Sequence, residues 1–316
     1  MKSPYQTETP VLLIFFVRDD VLAKTFSAIR AAKPKTLFLW QDGPRADRAD
    51  DIEGIDRCRK IVENIDWECT VYKQYNTENI GCDPSIYMAY KWAFTYVDRC
   101  IFLEDDQVPC LSYFRFCDEL LEKYKDDTRI SHICGYNYLG SYESCPDDYL
   151  FARSGSGAWA TWKRVADEWD ETYQYTKNSY LWNNIIARHG KLSRFSLKNS
   201  IRRSKTKKAY WESIVGSNCL INNHLVIIPK YNLVSNHGLS VNATHSASTL
   251  EALPKSTQSM FFAKTYELTF PLKHPTYVFP HSLYEDAVYR LMGLGHPILH
   301  MWRRIESMLR RIINNI

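Results

Sequence analysis

The sequence predicts an α/β protein, a doubly wound and mostly parallel sheet with helices on both faces, followed by a helical C-terminal extension. Three observations predict it. Short apolar runs alternate with helical periods from Val11 onward. The 316 residues are 45% hydrophobic and 24% charged, the composition of a soluble globular chain long enough for a large core. Third, Arg99-Cys100-Ile101-Phe102-Leu103 is apolar in the manner of a strand buried on both faces, and it exits into Glu104-Asp105-Asp106, closed by Pro109. Ligands of open α/β sheets bind beyond such strand ends. Three adjacent acids repel one another and call for a counter-charge, for which a hard divalent cation, Mn2+ or Mg2+, is the natural candidate.

The elements follow in order. Val11–Val17 reads as the first strand, and residues 19–32 as a helix capped by Asp19 or Asp20, with Val21, Leu22, Thr25, Phe26 and Ile29 at helical spacing. Residues 36–40 form the second strand, ending in the turn Gln41-Asp42-Gly43-Pro44. A charged helix spans about 50–65, a third strand 69–75, and a helix opened by Pro84 runs to about Val97. After Pro109 come a helix over 111–124 and a strand over 130–135. Residues 151–159 read as a glycine-bearing loop, with helices over 160–169 and 178–188 beyond it. Residues 191–208 hold eight Lys/Arg and no acid, a pattern of a solvated loop or of a dock for a phosphate-bearing acceptor or anionic lipid heads. A helix over 211–222, a strand over 225–229 and a loop over 232–245 complete a first domain, residues 1–248. The extension, 249–316, is proline-dotted over 250–280 and helical beyond 283. Its last helix, 296–316, places Ile298, Trp302, Ile305, Leu309, Ile312 and Ile316 on one face and Arg303, Arg304, Arg310 and Arg311 on another. Such a helix either lies in a membrane interface or packs back on the domain.

The totals exclude other classes. A net charge of +4 is too mild to argue for nucleic acid. Nine cysteines, an odd number without a Cys-x-x-Cys pair, point to a reducing compartment and not to zinc or a disulfide framework. No apolar run approaches a membrane span, and Val11–Val17 is too short for a signal peptide, so a cytoplasmic location is expected, peripheral at the inner face of a membrane if the tail engages one.

Several of these motifs, in this order, resemble the GT-A glycosyltransferases, in particular enzymes related to N-acetylglucosaminyltransferase I and bacterial family 2-like enzymes. The resemblance runs from about Val11 to His245. It rests on Phe16-Val17-Arg18, Gln41-Asp42-Gly43, Leu103-Glu104-Asp105-Asp106 with Pro109 and Phe114, Gly155-Ser156-Gly157-Ala158-Trp159, Trp211-Glu212, and the stretch from Pro229 to Asn236. It implies a Rossmann-like GT-A fold and a nucleotide-sugar donor, typically UDP-linked, over the carboxyl edge of the sheet. Asp42 would then meet the base, Arg18 the donor, Asp105 the ribose and Glu104 the sugar hydroxyls. Asp106 would bind the metal, with His245 near metal or diphosphate. Gly157 and Trp159 would line the sugar pocket, and Glu212 falls where the catalytic carboxylate lies. The sequence departs from many relatives after Gly81, where Cys82-Asp83-Pro84 replaces a basic residue.

The chemistry is coherent in its own terms. A metal on Asp106 neutralises a leaving diphosphate, and Glu212, on a separate element, takes the proton of an acceptor hydroxyl. One direct displacement inverts the anomeric centre. The resemblance implies a glycan or lipid-linked glycan as acceptor, and an anionic membrane surface is a further candidate partner. Two other readings compete: a sugar-phosphate nucleotidyltransferase and a non-catalytic glycan- or membrane-binding protein. Nucleotidyltransferases usually carry a glycine-rich loop after the first strand, and Arg18-Asp19-Asp20-Val21-Leu22 has no glycine.

Overall fold

A computed structural model describes residues 5–188, 191–206, 208–239, 249–293 and 297–313. In chain order the elements begin β1 (Val11–Phe15), α1 (Asp19–Ala32), β2 (Thr36–Gln41), α2 (Asp50–Val62), β3 (Thr70–Tyr75), α3 (Cys82–Ala93) and β4 (Arg99–Glu104). They continue β5 (Gln107–Pro109), α4 (Leu111–Lys123), β6 (Ile130–Cys134), β7 (Tyr149–Ala152), β8 (Trp159–Trp162) and the single turn α5 (Lys163–Ala166). Then come α6 (Ser179–Arg188), α7 (Lys191–Arg203), α8 (Trp211–Asn222), β9 (Leu225–Pro229), β10 (Val234–Asn236), α9 (Lys255–Gln258), α10 (Ser282–Met292) and α11 (Pro297–Ile313).

The predicted fold class is the observed one, a Rossmann-like, mostly parallel sheet. Eight strands form it in the order β3-β2-β1-β4-β8-β6-β9-β7, and only β7 and β8 run against the rest. Alternation along β1 explains its uniform apolarity. Val11, Leu13 and Phe15 join a core with α1, α2 and α4, whereas Leu12 and Ile14 join a second core with α3 and α8. Both faces are buried, so both sets of side chains are hydrophobic. The extension closes on the same framework. Leu268, Phe270, Leu272 and Val278 pack on the first core, and Tyr284 and Val288 of α10 cover Cys134, Leu150, Val226 and Ile228.

Several local expectations are corrected. Arg18, not Asp19 or Asp20, is the N-cap of α1, and both acids lie in its first turn, where they favour the helix dipole. Helix α3 starts at Cys82, with Gly81 (φ +88°) as N-cap, and ends at Ala93. The helix expected over 160–169 is instead strand β8 and one turn of helix. Trp159 joins the second core while Ala160 and Trp162 join the first, so the strand is buried on both faces, and it pairs antiparallel with β4 and β6. Residues 151 and 152, expected in a loop, belong to β7. The basic run, read as a solvated loop or as an anion dock, is helical over Lys191–Arg203. Within the loop expected over 232–245, Val234–Asn236 pairs with β5.

Candidate functional site

All the candidate residues except His245, which lies outside the described residues, fall at three neighbouring places. The first is the end of β4. Here the counter-charge that the acids require comes from the chain itself: Arg18 forms an ion pair with Asp105 and donates to Asp106 Oδ2 at 2.9 Å. The β1–α1 connection sets this up, because β1 and β4 are adjacent parallel strands and Ile14 is level with Glu104. The Asp105 side chain is 5% exposed and that of Asp106 17%, so Asp106 is the more open of the two. Dehydration by the surrounding protein, then the charges of Asp106, Asp105 and Glu212, push Glu104 up to about 8. Burial raises Asp105 as well, against the pull of Arg18. Glu104 is further held by Gln107, whose Nε2 donates to its Oε1 at 3.1 Å.

The Asn236-His237-Gly238 turn packs against Asp106. The His237 backbone N–H donates to the Asp106 carbonyl at 2.8 Å, and a Cβ at Gly238 would overlap the Asp106 carboxylate. Among the described residues His237 Nδ1 is buried without a hydrogen-bond partner. Nothing in the residue pattern marked His237 as a neighbour of Asp106; the β5–β10 pairing brings it there. No group of three or more His, Cys, Asp or Glu side chains among the described residues is placed to hold a metal ion.

The second place is Asp42, 6% exposed at the end of β2. Its carboxylate accepts from the backbone N–H groups of Gly43 (3.0 Å), Ile80 (3.1 Å) and Gly81 (3.1 Å) and from Asn76 Nδ2 (3.3 Å). Asp42 thus ties the loop after β3 to the end of β2. The bonds from Asn76, Ile80 and Gly81 could not be inferred from an Asp-Gly turn.

The third place is a cavity of about 380 Å³ on the α3–α8 face of the sheet. Gly157, Trp159 and Glu212 all line it, together with Arg153, Asn199, Arg203 and Tyr289. Gly157 has φ +83°, and a Cβ there would overlap the ring of Tyr136, so both backbone and packing require glycine. Trp159 is only 3% exposed. It stacks on Trp211 at 6.3 Å and donates from Nε1 to Tyr90 Oη at 3.2 Å, forming a rigid wall. Glu212 lies in the first turn of α8.

Three further residues structure the cavity; His132 and Glu285 carried no signal in the sequence, whereas Arg203 belongs to the basic run of residues 191–208. Buried His132, on β6, faces Gly155 O from Nε2 at 3.1 Å and Ser131 Oγ from Nδ1 at 2.9 Å. A carbonyl only accepts, so the proton sits on Nε2 and the Ser131 hydroxyl donates to Nδ1. Burial lowers this imidazole to about 4. Glu285 of α10, 5% exposed, accepts from the Arg153 backbone N–H at 2.6 Å and pairs with its guanidinium. The extension thereby fixes the loop that carries Gly155 and Gly157. Arg203 lies with its guanidinium 4.9 Å from the Tyr210 ring centre.

No family model and no curated protein matches the chain. Among solved structures it is similar to a UDP-glucose pyrophosphorylase complexed with UDP-glucose, at 7% identity over 71% of this chain and 91% of that one, with a TM-score of 0.36. It is also similar to 4-diphosphocytidyl-2C-methyl-D-erythritol synthase from Anaerococcus prevotii DSM 20548, at 12% identity over 67% and 95%, with a TM-score of 0.31. Likenesses this distant carry no residue role to this chain.

Proposed function

We propose that the chain is an inverting, metal-dependent glycosyltransferase that moves a sugar from a UDP-linked donor to a hydroxyl of a glycan or lipid-linked glycan. The observation behind this reading is that Glu212 lines a cavity with Gly157 and Trp159 and lies near enough to the acid triplet for its charge to act on Glu104. In this reading the acid triplet and the acid of α8 serve one cleft, with a cavity of monosaccharide scale beside Glu212. In the reading, Arg18 positions Asp105 for the ribose, and Glu104 holds donor hydroxyls. Asp106, with His237 as its neighbour, would hold Mn2+ or Mg2+ together with the donor phosphates. When bound, such an ion supplies Lewis-acid neutralisation of the leaving diphosphate. Glu212 takes the proton of the acceptor hydroxyl as that oxygen attacks the anomeric carbon. The carbon–oxygen bond to the diphosphate breaks, and the nucleoside diphosphate departs with the electron pair.

Calorimetry of UDP with Mn2+ tests the donor half. Saturation at ~100 times the dissociation constant stabilises a protein by about 2.7 kcal/mol, and Asp106→Ala is expected to abolish that gain. Unchanged affinity would remove Asp106 from the site. Release of UDP, and not pyrophosphate, separates transfer of the sugar from nucleotidyl transfer. The short β1–α1 connection, which has no glycine and commits Arg18 to the acids, disfavours the nucleotidyltransferase reading.

A peripheral membrane contact belongs to the same reading. Among the described residues no helix is long and apolar enough to cross a membrane. Helix α11 docks through Ser307 on Ala252 and through Glu306 on the Lys255 N–H, and leaves Ile298, Trp302 and Leu309 exposed at 80%, 58% and 45%. That stripe is what an anionic bilayer surface would meet.

A further inference from the structure

Resting on the transferase reading, we infer that the cavity beside Glu212 takes an acceptor sugar bearing an anionic substituent, a carboxylate or a phosphate, and that Arg203 reads it. Among the described residues two guanidinium groups line the cavity, Arg153 and Arg203, and they are not equivalent. Arg153 is neutralised by buried Glu285. Arg203, the last residue of α7, has no carboxylate partner among the described residues, and its guanidinium is held over the Tyr210 ring. Stacking occupies the face of a guanidinium and leaves its N–H edge for a planar or tetrahedral oxyanion.

The rest of the wall supports a sugar carrying that charge. The first turn of α8, Trp211 to Ser213, lines the cavity, and Tyr210 at its N-cap makes no side-chain cap bond, so N–H groups at the positive end of a 12-residue helix border the space. Asn199, one helical turn before Arg203, adds an amide. Trp159 and Trp211 supply apolar walls, and buried His132 contributes no positive charge at neutral pH. Glu212 sits on α8 while Arg203 and Asn199 come from α7. The acceptor hydroxyl and the acceptor anion are thus received by different helices, which fixes the direction in which the sugar lies. The basic run of residues 191–208 gains a specific role at this one position.

The test uses the full chain and three probes, methyl glucoside, methyl glucuronide and glucose 6-phosphate, with binding measured by calorimetry in the presence of UDP and Mn2+. At least one charged probe is expected to bind about tenfold more tightly than the neutral one, the range of one charge-assisted bond. Whichever charged probe prevails identifies carboxylate or phosphate as the substituent. Arg203→Ala is expected to erase the preference, and Arg203→Lys to keep only part of it. Arg203→Gln, close in length, serves if the alanine variant melts early. Equal affinity for charged and neutral probes, including no binding of either, overturns the inference, as does a preference that survives in Arg203→Ala. A fall in UDP affinity in that variant would place Arg203 on the donor and overturns it equally. Failure of the transferase reading looks different: wild-type protein would not bind UDP with Mn2+, whatever the probes did.

Discussion

Protonation of His132 should cost the fold a calculable amount of stability. The imidazole is buried, with Nε2–H on the Gly155 carbonyl and Nδ1 receiving the Ser131 hydroxyl proton. A second proton has no acceptor on Nδ1 unless Ser131 turns, and Ser131 also receives the Cys219 thiol at 3.1 Å. Burial accordingly holds the folded-state value at about 4, while an exposed histidine ionises near 6.5. Between those values the unfolded chain binds more protons than the folded one, so stability rises with pH. The contribution is complete above pH ~6.5 and is lost progressively as the pH falls towards ~4. From pH 7 to pH 5 the loss from this one group is about 2 kcal/mol. Urea unfolding of wild type and His132→Gln at both pH values measures it, because the amide can still donate to Gly155 yet does not titrate. The wild type is expected to lose about 2 kcal/mol more than the variant over that interval. Parallel losses in the two proteins would refute the assigned tautomer and its burial.

Gly157→Ala is expected to destabilise by about 2–5 kcal/mol, from the positive φ and the overlap with Tyr136, and to weaken binding of sugars in the cavity; chemical denaturation and calorimetry read both. Glu285→Gln should cost only about 1–2 kcal/mol, since Arg153 is half exposed, but should speed hydrogen exchange across residues 153–157; unchanged exchange would mean that α10 does not hold this loop. Trp302→Asp, on the exposed stripe of α11, should release the protein from anionic vesicles without changing its melting temperature, and retention on the vesicles would argue for another partner of that face.

The parts of the fold that were legible are those whose pattern is local. β1, α1, β4, α8 and β9 announce themselves by uniform apolarity or by period, and their observed limits follow that pattern closely. β8 was not legible because four residues hold too few repeats to separate alternation from a helical period, and pairing with β4 decides the matter. The acid triplet of β4 announced a charge problem, but only the β1–β4 register reveals that Arg18 meets it within the chain. Asp42 reads as a turn residue or a base contact, and three of its four donors arrive from a loop more than thirty residues away. His132 with Gly155 and Arg153 with Glu285 are likewise long-range pairs, which no spacing encodes.

The most direct test of the central claim is turnover by Glu212→Gln on a UDP-linked donor with Mn2+ and a sugar acceptor, measured beside donor affinity. The amide keeps the shape of the carboxylate and removes its basicity. General base contributions are about 100- to 10,000-fold, so turnover should fall within that range while donor affinity holds. A fall of only about two- or threefold with unchanged donor affinity, well below what a general base supplies, would contradict the assignment, and Asp167, Glu168, Asp170 and Glu171 would be the next acids to examine. A loss of donor affinity instead would mean that Glu212 holds the sugar and does not move the proton.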